Sequence, residues 1–207
     1  MKTLKIYGNA INDRFIEEAA DALRNGKLII YPTDTLYAIG CDTLNSRAVE
    51  KTCRIKGINP KKQNLAICCS SVSQAASYAK IDNRAFDILR RALPGPFTFI
   101  LPASPSLPKV FKDRKEVGIR VPDDPVARRL AEELGNPLLT TTIELDGIAD
   151  ADDDLAQIAT LEIALKYDSD IDLCLDAGSR GTVPSTIIDL TDSSNPVVIR
   201  QGKGIIE

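Results

Sequence analysis

The 207-residue sequence contains no histidine. This absence excludes serine–histidine triads, cysteine nucleophiles that depend on histidine, and metal sites with histidine ligands. Catalysis by this chain must therefore depend on lysine, arginine, carboxylates, hydroxyls or a metal–phosphate complex.

The sequence also lacks long apolar runs, an excess of basic charge and a recognisable cysteine pattern. No run approaches a membrane span and the first residues form no signal peptide, so we expect a cytoplasmic protein without a membrane partner. A net charge of −3 and a pI near 5.2 give no overall basic field for nucleic acid, although a local basic cleft is compatible with them. The five cysteines follow no CxxC spacing, which favours buried, reduced thiols.

The length and the order of apolar patterns predict one α/β domain over residues 1–207. Helix patterns begin after Asn12, after Asn45 or Ser46, near Ser73, at Asp82, after Asp123 or Asp124, and after an acidic loop at 149–154, where the last helix runs to about Tyr167. Strand patterns cover 2–7, 27–31, 65–69, 97–101, 117–121 and 137–143, with three more near Leu173, Ile187 and Val198. Several connections are too short for parallel crossovers, so we expect a twisted, mixed parallel and antiparallel sheet with flanking helices. Negative charge favours a helix N-terminus, so the acidic loop is interpreted as a solvated surface rather than a metal site.

The segment LIIYPTDTLYAIGC at residues 28–41 changes abruptly from apolar to polar. Pro32 lacks an N–H group and is expected to end the strand. Alternation then places Thr33 and Thr35 on one face and Asp34 on the other. The two hydroxyls suit either a small polar ligand or a turn in which they bond the local backbone.

Two cations each allow two interpretations. Lys56 lies at the end of a predicted helix, where it either binds phosphate or is a solvated charge that favours the helix C-terminus. Arg120 lies in the apolar strand VGIRV, where an unpaired guanidinium would be costly. It therefore requires an anionic partner, either a carboxylate side chain or a ligand.

Hydroxyls and a further arginine are found at the ends of other predicted strands. Thr140, Thr141 and Thr142 end one strand, Ser185 and Thr186 begin another, and Arg200 ends the last. Together with Lys56 and Arg120, this set suits an anionic, hydroxyl-rich ligand such as a nucleotide. The sequence has neither a P-loop nor a GxGxxG motif, so side chains and strand-end amides would hold the phosphates.

At these residues the chain resembles the YrdC/YciO family, also called the threonylcarbamoyl-AMP synthase superfamily, and is most similar to its YciO branch. The resemblance covers nearly the whole chain, in order YPTDTLYAIGC, the helix to Lys56, PGPFTFIL, GIRVP, PLLTTT, PSTIIDL and VVIRQG. It implies a YrdC-like (DHBP synthase-like) fold with a large concave site. It also implies conversion of L-threonine, bicarbonate and ATP, with Mg²⁺ as the ATP cofactor, to L-threonylcarbamoyladenylate and pyrophosphate for tRNA N6-threonylcarbamoyladenosine biosynthesis.

The resemblance also assigns roles to single residues, none of them a covalent nucleophile or a direct metal ligand. The residues it implies for threonine are Thr33, Arg120, Thr140 and Thr186, and those for ATP are Lys56, Thr142, Ser185 and Arg200. The chain departs from the synthase pattern at Ile58, where an arginine is usual, at Glu144, where an asparagine is usual, and near Cys68, where a histidine is common. These departures favour a second hypothesis, a non-catalytic protein of the YciO type that binds a nucleotide or double-stranded RNA.

Overall fold

A computed structural model of the protein describes residues 1–7, 11–59, 65–108, 111, 114–143 and 169–206. The helices in these ranges are α1 Asp13–Arg24, α2 Ser46–Ile55, α3 Val72–Ala76, α4 Asn83–Ala92 and α5 Pro125–Leu134. The strands are β1 Lys2–Lys5, β2 Ile29–Tyr31, β3 Ala38–Asp42, β4 Ala66–Cys68, β5 Phe97–Pro102, β6 Glu116–Arg120, β7 Leu138–Thr142, β8 Leu173–Asp176, β9 Thr186–Asp189 and β10 Val197–Arg200.

The helix starts follow from capping side chains. Asn12, Asn45, Asp82 and Asp124 each accept a backbone N–H from the first turn of α1, α2, α4 and α5, which satisfies donors that have no partner within the helix. The sequence left two helix starts open, and the structure shows that Asn45 is the N-cap of α2 and Asp124 the N-cap of α5. Gly135 ends α5 in the left-handed conformation, at φ 82°.

The ten described strands form one mixed sheet in the order β1-β8-β2-β3-β7-β4-β6-β5-β9-β10. The pairs β1–β8, β2–β8, β4–β6 and β5–β9 are parallel, and the remaining neighbours are antiparallel. The α/β class with a mixed sheet is therefore confirmed. The order also brings β4, β5, β6, β7 and β9 together in the middle and at one end of the sheet, although they are distant in sequence.

Helices cover both faces of the sheet. Ile16 and Leu23 of α1 pack with Leu130 of α5 in one buried cluster. Val49 of α2 and Leu89 of α4 belong to a second cluster. Both sets of apolar helix faces lose contact with water, which is the main favourable term in such a fold.

Strand β3 was not predicted from the sequence. The chain turns after Pro32, and β3 returns antiparallel to β2, with Ile30 opposite Ile39. A Cβ atom on Gly40 would lie 2.7 Å from Cε1 of Tyr31, so only glycine leaves room for the tyrosine ring here.

Several sequence features lie outside the described residues. These are the acidic loop, the helix predicted to run to about Tyr167, and Glu144. Among the helices that the structure describes, none combines the length and apolar character needed to cross a bilayer.

Candidate functional site

A cleft of about 360 Å³ opens between the C-terminal end of α2 and the strands β4, β5, β6, β7, β9 and β10. Its volume lies within the usual range for small-molecule sites. An apolar part of its wall includes Ile58, Leu65, Ile100, Leu139 and Ile187. The polar and charged side chains at the cleft are Thr52, Lys56, Thr98, Arg120, Thr140, Thr141, Thr142, Ser185 and Arg200.

Six of the eight residues predicted for the site line this cleft, namely Lys56, Arg120, Thr140, Thr142, Ser185 and Arg200. Strand pairing explains how they meet. Ala66 of β4 lies opposite both Thr140 of β7 and Gly118 of β6, so Thr140 and Gly118 lie at the same level of the sheet on either side of β4. Gly118 and Ala66 are small and line the cleft, so they leave space above the sheet at this level.

Thr33 and Thr186 lie next to the cleft but do not line it. The Thr33 hydroxyl donates to the carbonyl of Leu36 at 2.6 Å and accepts from the backbone N–H of Thr35 at 3.2 Å. The Thr186 hydroxyl donates to the carbonyl of Gly204 at 2.6 Å and accepts from the N–H of Gly202 at 2.9 Å. Both hydroxyls therefore hold local backbone, and their role as threonine contacts stays a prediction.

Arg120 is the most strongly held charge of the site. Its Nη2 donates to Asp34 Oδ1 at 3.1 Å, to Thr35 Oγ1 at 3.0 Å and to Thr33 Oγ1 at 3.5 Å. The Arg120 and Asp34 side chains are only 4% and 7% exposed. The alternation argument for residues 33–35 was therefore wrong, because the segment is a turn that brings all three side chains to one guanidinium.

The same guanidinium has a donor left over. Within the described part of the chain, Nε of Arg120 is buried and has no hydrogen-bond partner, although the residue lines the cleft. A buried donor without an acceptor costs free energy. Arg120 thus forms a structural ion pair with Asp34, as one of the two sequence interpretations required, and it also lines the cleft, where its contact with a ligand stays a prediction.

Asp34 is held by more than Arg120. Its Oδ2 accepts the backbone N–H of Asp123 at 3.0 Å, and its carbonyl accepts from Lys203 Nζ at 2.6 Å. These contacts join the turn after β2 to the start of α5 and to the C-terminal segment. The turn is therefore fixed from three sides, and Arg120 is fixed with it.

The cleft wall also carries two further cations and several hydroxyls. Lys56 is the C-cap of α2 and is half-buried. Arg200 ends β10 and donates from Nη2 to the Ser185 carbonyl at 2.9 Å. The Ser185 and Thr98 hydroxyls are 2.9 Å apart. Cations and hydroxyls that line one cleft form a suitable environment for phosphate oxygens.

Sequence reasoning missed Thr98, Thr52 and Cys53, which also line the cleft. Thr98 could have been found, because it is the single hydroxyl in the otherwise apolar strand FTFIL. Thr52 and Cys53 gave no such signal, since both belong to the buried face of an amphipathic helix.

The cysteines are free and buried, as the sequence predicted. Burial raises the pKa of the Cys41 and Cys174 thiols to about 12 and of the Cys68 thiol to about 11. Because the thiolate is the reactive form, these groups are unreactive at neutral pH.

We expect a colorimetric disulfide reagent to react slowly with the native protein and to titrate all five thiols after unfolding. Cys53 lines the cleft, so MgATP should slow its reaction further. Cys53→Ala is the control that identifies the protected thiol. Rapid reaction of several thiols in the native protein would contradict the burial described above.

Comparisons with known proteins agree with this architecture. A model of the Sua5/YciO/YrdC family, described as telomere recombination, matches residues 21–202. The uncharacterized protein YciO of Escherichia coli K12 is 36% identical over 204 residues, which cover 98% of this chain and 96% of that protein. The crystal structure of E. coli YciO superposes with a TM-score of 0.86 and 35% identity, covering 99% of this chain and 98% of that chain.

Two further relatives have functional names. The threonylcarbamoyl-AMP synthase of Bacillus subtilis is 31% identical over 195 residues, covering 92% of this chain and 54% of that protein. The crystal structure of Pyrococcus abyssi Sua5 complexed with L-threonine has a TM-score of 0.82 and 29% identity, covering 98% of this chain and 58% of that chain. This chain thus spans somewhat more than half the length of each of these two proteins.

Proposed function

This chain belongs to the Sua5/YciO/YrdC family, and on that basis we propose that it is a threonylcarbamoyl-AMP synthase-like enzyme. Its substrates would be L-threonine, bicarbonate and MgATP, and its products L-threonylcarbamoyladenylate, pyrophosphate and water. The observation that carries the proposal is the cleft itself, which Arg120, Lys56 and Arg200 line together. A relative of known structure binds L-threonine, which supports the choice of amino acid.

The reaction has two bond-forming steps. The threonine amine attacks the carbon of bicarbonate and water is lost, which gives a carbamate. A carbamate oxygen then attacks the α-phosphorus of ATP, and the bond to the bridging oxygen breaks so that pyrophosphate leaves. Such a reaction needs positioned substrates and stabilised phosphate charge rather than a protein nucleophile, which fits a chain without histidine.

The residues of the cleft are assigned as follows. Arg120 would bind the threonine carboxylate through its guanidinium, with Thr140 as a second contact at the cleft. Lys56 and Arg200 would neutralise phosphate oxygens. Thr142 and Ser185 would contribute hydroxyls to the nucleotide, and Mg²⁺ would enter with ATP as part of that substrate. The product would serve the formation of N6-threonylcarbamoyladenosine in tRNA.

A pyrophosphate-release assay with purified protein tests the proposal. Release should require L-threonine, bicarbonate and MgATP together, and Lys56→Ala should abolish most of it. Arg54→Ala is the matched control, because Arg54 lies exposed on the same helix and does not line the cleft. Threonine-independent release, or release equal to that of Lys56→Ala, would contradict the proposal.

One observation favours a second function, binding without catalysis. Ile58 lines the cleft at the position where the synthase pattern suggests an arginine, so the phosphates have one donor fewer. In that case the protein would bind a nucleotide or double-stranded RNA and release no pyrophosphate. Affinity for RNA that falls steeply with rising salt would support this function, and no affinity even at low salt would exclude its RNA form.

A further inference from the structure

Tyr31 ends β2 in a fully buried position next to the candidate threonine site. Its phenol oxygen donates a hydrogen bond to Thr140 Oγ1 at 2.7 Å. Thr140 in turn lines the cleft. Tyr31 itself does not reach the cleft, so any influence on a ligand must pass through Thr140.

The packing fixes the direction of the tyrosine ring. Gly40 of β3 lies opposite Thr140 of β7, and the missing side chain of Gly40 leaves room for the ring. A Cβ atom at that position would lie 2.7 Å from Cε1 of the ring. The phenol oxygen therefore reaches Thr140 only because β3 has a glycine at this position.

The hydrogen bond between Tyr31 and Thr140 has a defined donor and a defined acceptor. Burial raises the pKa of Tyr31 well above its usual value, so the phenol keeps its proton and donates it. Cys68 interacts with the same phenol, and burial raises its thiol pKa to about 11, so that it too stays protonated. A threonine hydroxyl has one proton and two acceptor positions. Once Thr140 accepts from Tyr31, its own proton is available to another acceptor.

We propose that Tyr31 is a positioning residue that directs the Thr140 hydroxyl proton into the cleft, towards an oxygen of the amino-acid substrate. The inference rests on the proposed function, since it assumes that the amino acid binds beside Arg120. Arg120 lies close enough to Tyr31 and Cys68 to affect the electrostatics of both. A substrate oxygen at this end of the cleft would thus meet the guanidinium and an oriented hydroxyl donor together.

Isothermal titration of L-threonine into four proteins tests the inference: the wild type, Tyr31→Phe, Thr140→Val and the double variant. Loss of one neutral hydrogen bond corresponds to roughly a 5-fold change in affinity. We expect Tyr31→Phe to weaken threonine binding by about that factor and Thr140→Val to weaken it at least as much. In the Thr140→Val background, Tyr31→Phe should not weaken threonine binding further, because the Thr140 hydroxyl through which Tyr31 acts is already absent.

Two controls separate positioning from general loosening. Tyr37→Phe is matched, because the Tyr37 phenol donates to the Gly178 carbonyl at 2.7 Å and the residue does not line the cleft. It should leave threonine affinity within 2-fold of the wild type, which is below the effect of a typical hydrogen bond. ATP affinity should be unchanged in Tyr31→Phe. If Tyr31→Phe does not fold, Gly40→Ala displaces the ring by steric contact and should weaken threonine binding selectively.

The outcomes are distinct. If the wild type binds no L-threonine, both the proposed function and this inference are overturned. If the wild type binds L-threonine but Tyr31→Phe has no effect, or weakens binding equally in both backgrounds, only the inference is overturned. Equal losses of threonine and ATP affinity in Tyr31→Phe would also overturn it, since a structural defect affects both ligands.

Discussion

Replacement of Arg120 by alanine is expected to reduce L-threonine affinity by roughly 100-fold and to destabilise the protein. The first effect follows from loss of the guanidinium group of a residue that lines the cleft. The second follows from Asp34, whose carboxylate is 7% exposed and would lose its cationic partner. Breaking a buried ion pair from one side costs about 3–5 kcal/mol. Titration calorimetry and urea unfolding measure the two effects separately.

A double variant separates binding from stability. Asp34→Asn combined with Arg120→Met removes both charges, so no buried carboxylate is left unpaired, and the asparagine oxygen can still accept the Asp123 N–H. We expect this variant to regain much of the stability lost in Arg120→Ala while threonine affinity stays low. If Arg120→Ala binds threonine like the wild type, Arg120 is a structural residue only.

Replacement of Lys56 by alanine is expected to weaken ATP binding by about 10- to 100-fold, the range for a hydrogen bond to a charged group. Lys56 is the half-buried C-cap of α2 and lines the cleft, as Arg200 and Ser185 also do. Removing it leaves fewer cations to balance the phosphates. Threonine affinity in the absence of ATP should change little, because Arg120 belongs to another part of the site.

The control for this prediction is Arg54→Ala, which removes an exposed cation from the same helix. Both variants lower the net positive charge near α2 by one. A long-range electrostatic effect would weaken ATP binding in both, whereas a direct contact weakens it only in Lys56→Ala. An ATP affinity in Lys56→Ala equal to that of the wild type would remove Lys56 from the site.

Local chemistry made much of this fold predictable. Pro32 ends β2 as expected, since β2 stops at Tyr31. Asp124 with Pro125 begins α5 and Gly135 ends it, and these residue types have strong intrinsic preferences at such positions. Arg120 could be proposed as a site residue because a charge inside an apolar strand requires an anionic partner. Lys56 could be proposed because a lysine at a helix end can reach a phosphate.

Other features depend on long-range contacts that no short segment specifies. Strand β3 exists because residues 32–37 turn back, and its partner β7 lies about 100 residues later in the chain. The Thr186 hydroxyl is engaged by Gly202 and Gly204, which only the folded C-terminal segment brings close. The partner of Arg120 also required the structure, because Asp34 was expected on the opposite face of a strand.

Calorimetric titration of the protein with MgATP, with and without saturating L-threonine, tests the central claim that one cleft holds both ligands. The account predicts that MgATP and L-threonine each bind with one site per chain, that Lys56→Ala weakens only MgATP, and that Arg120→Ala weakens only L-threonine. Absence of binding of both ligands, or an equal effect of each variant on both ligands, would contradict it.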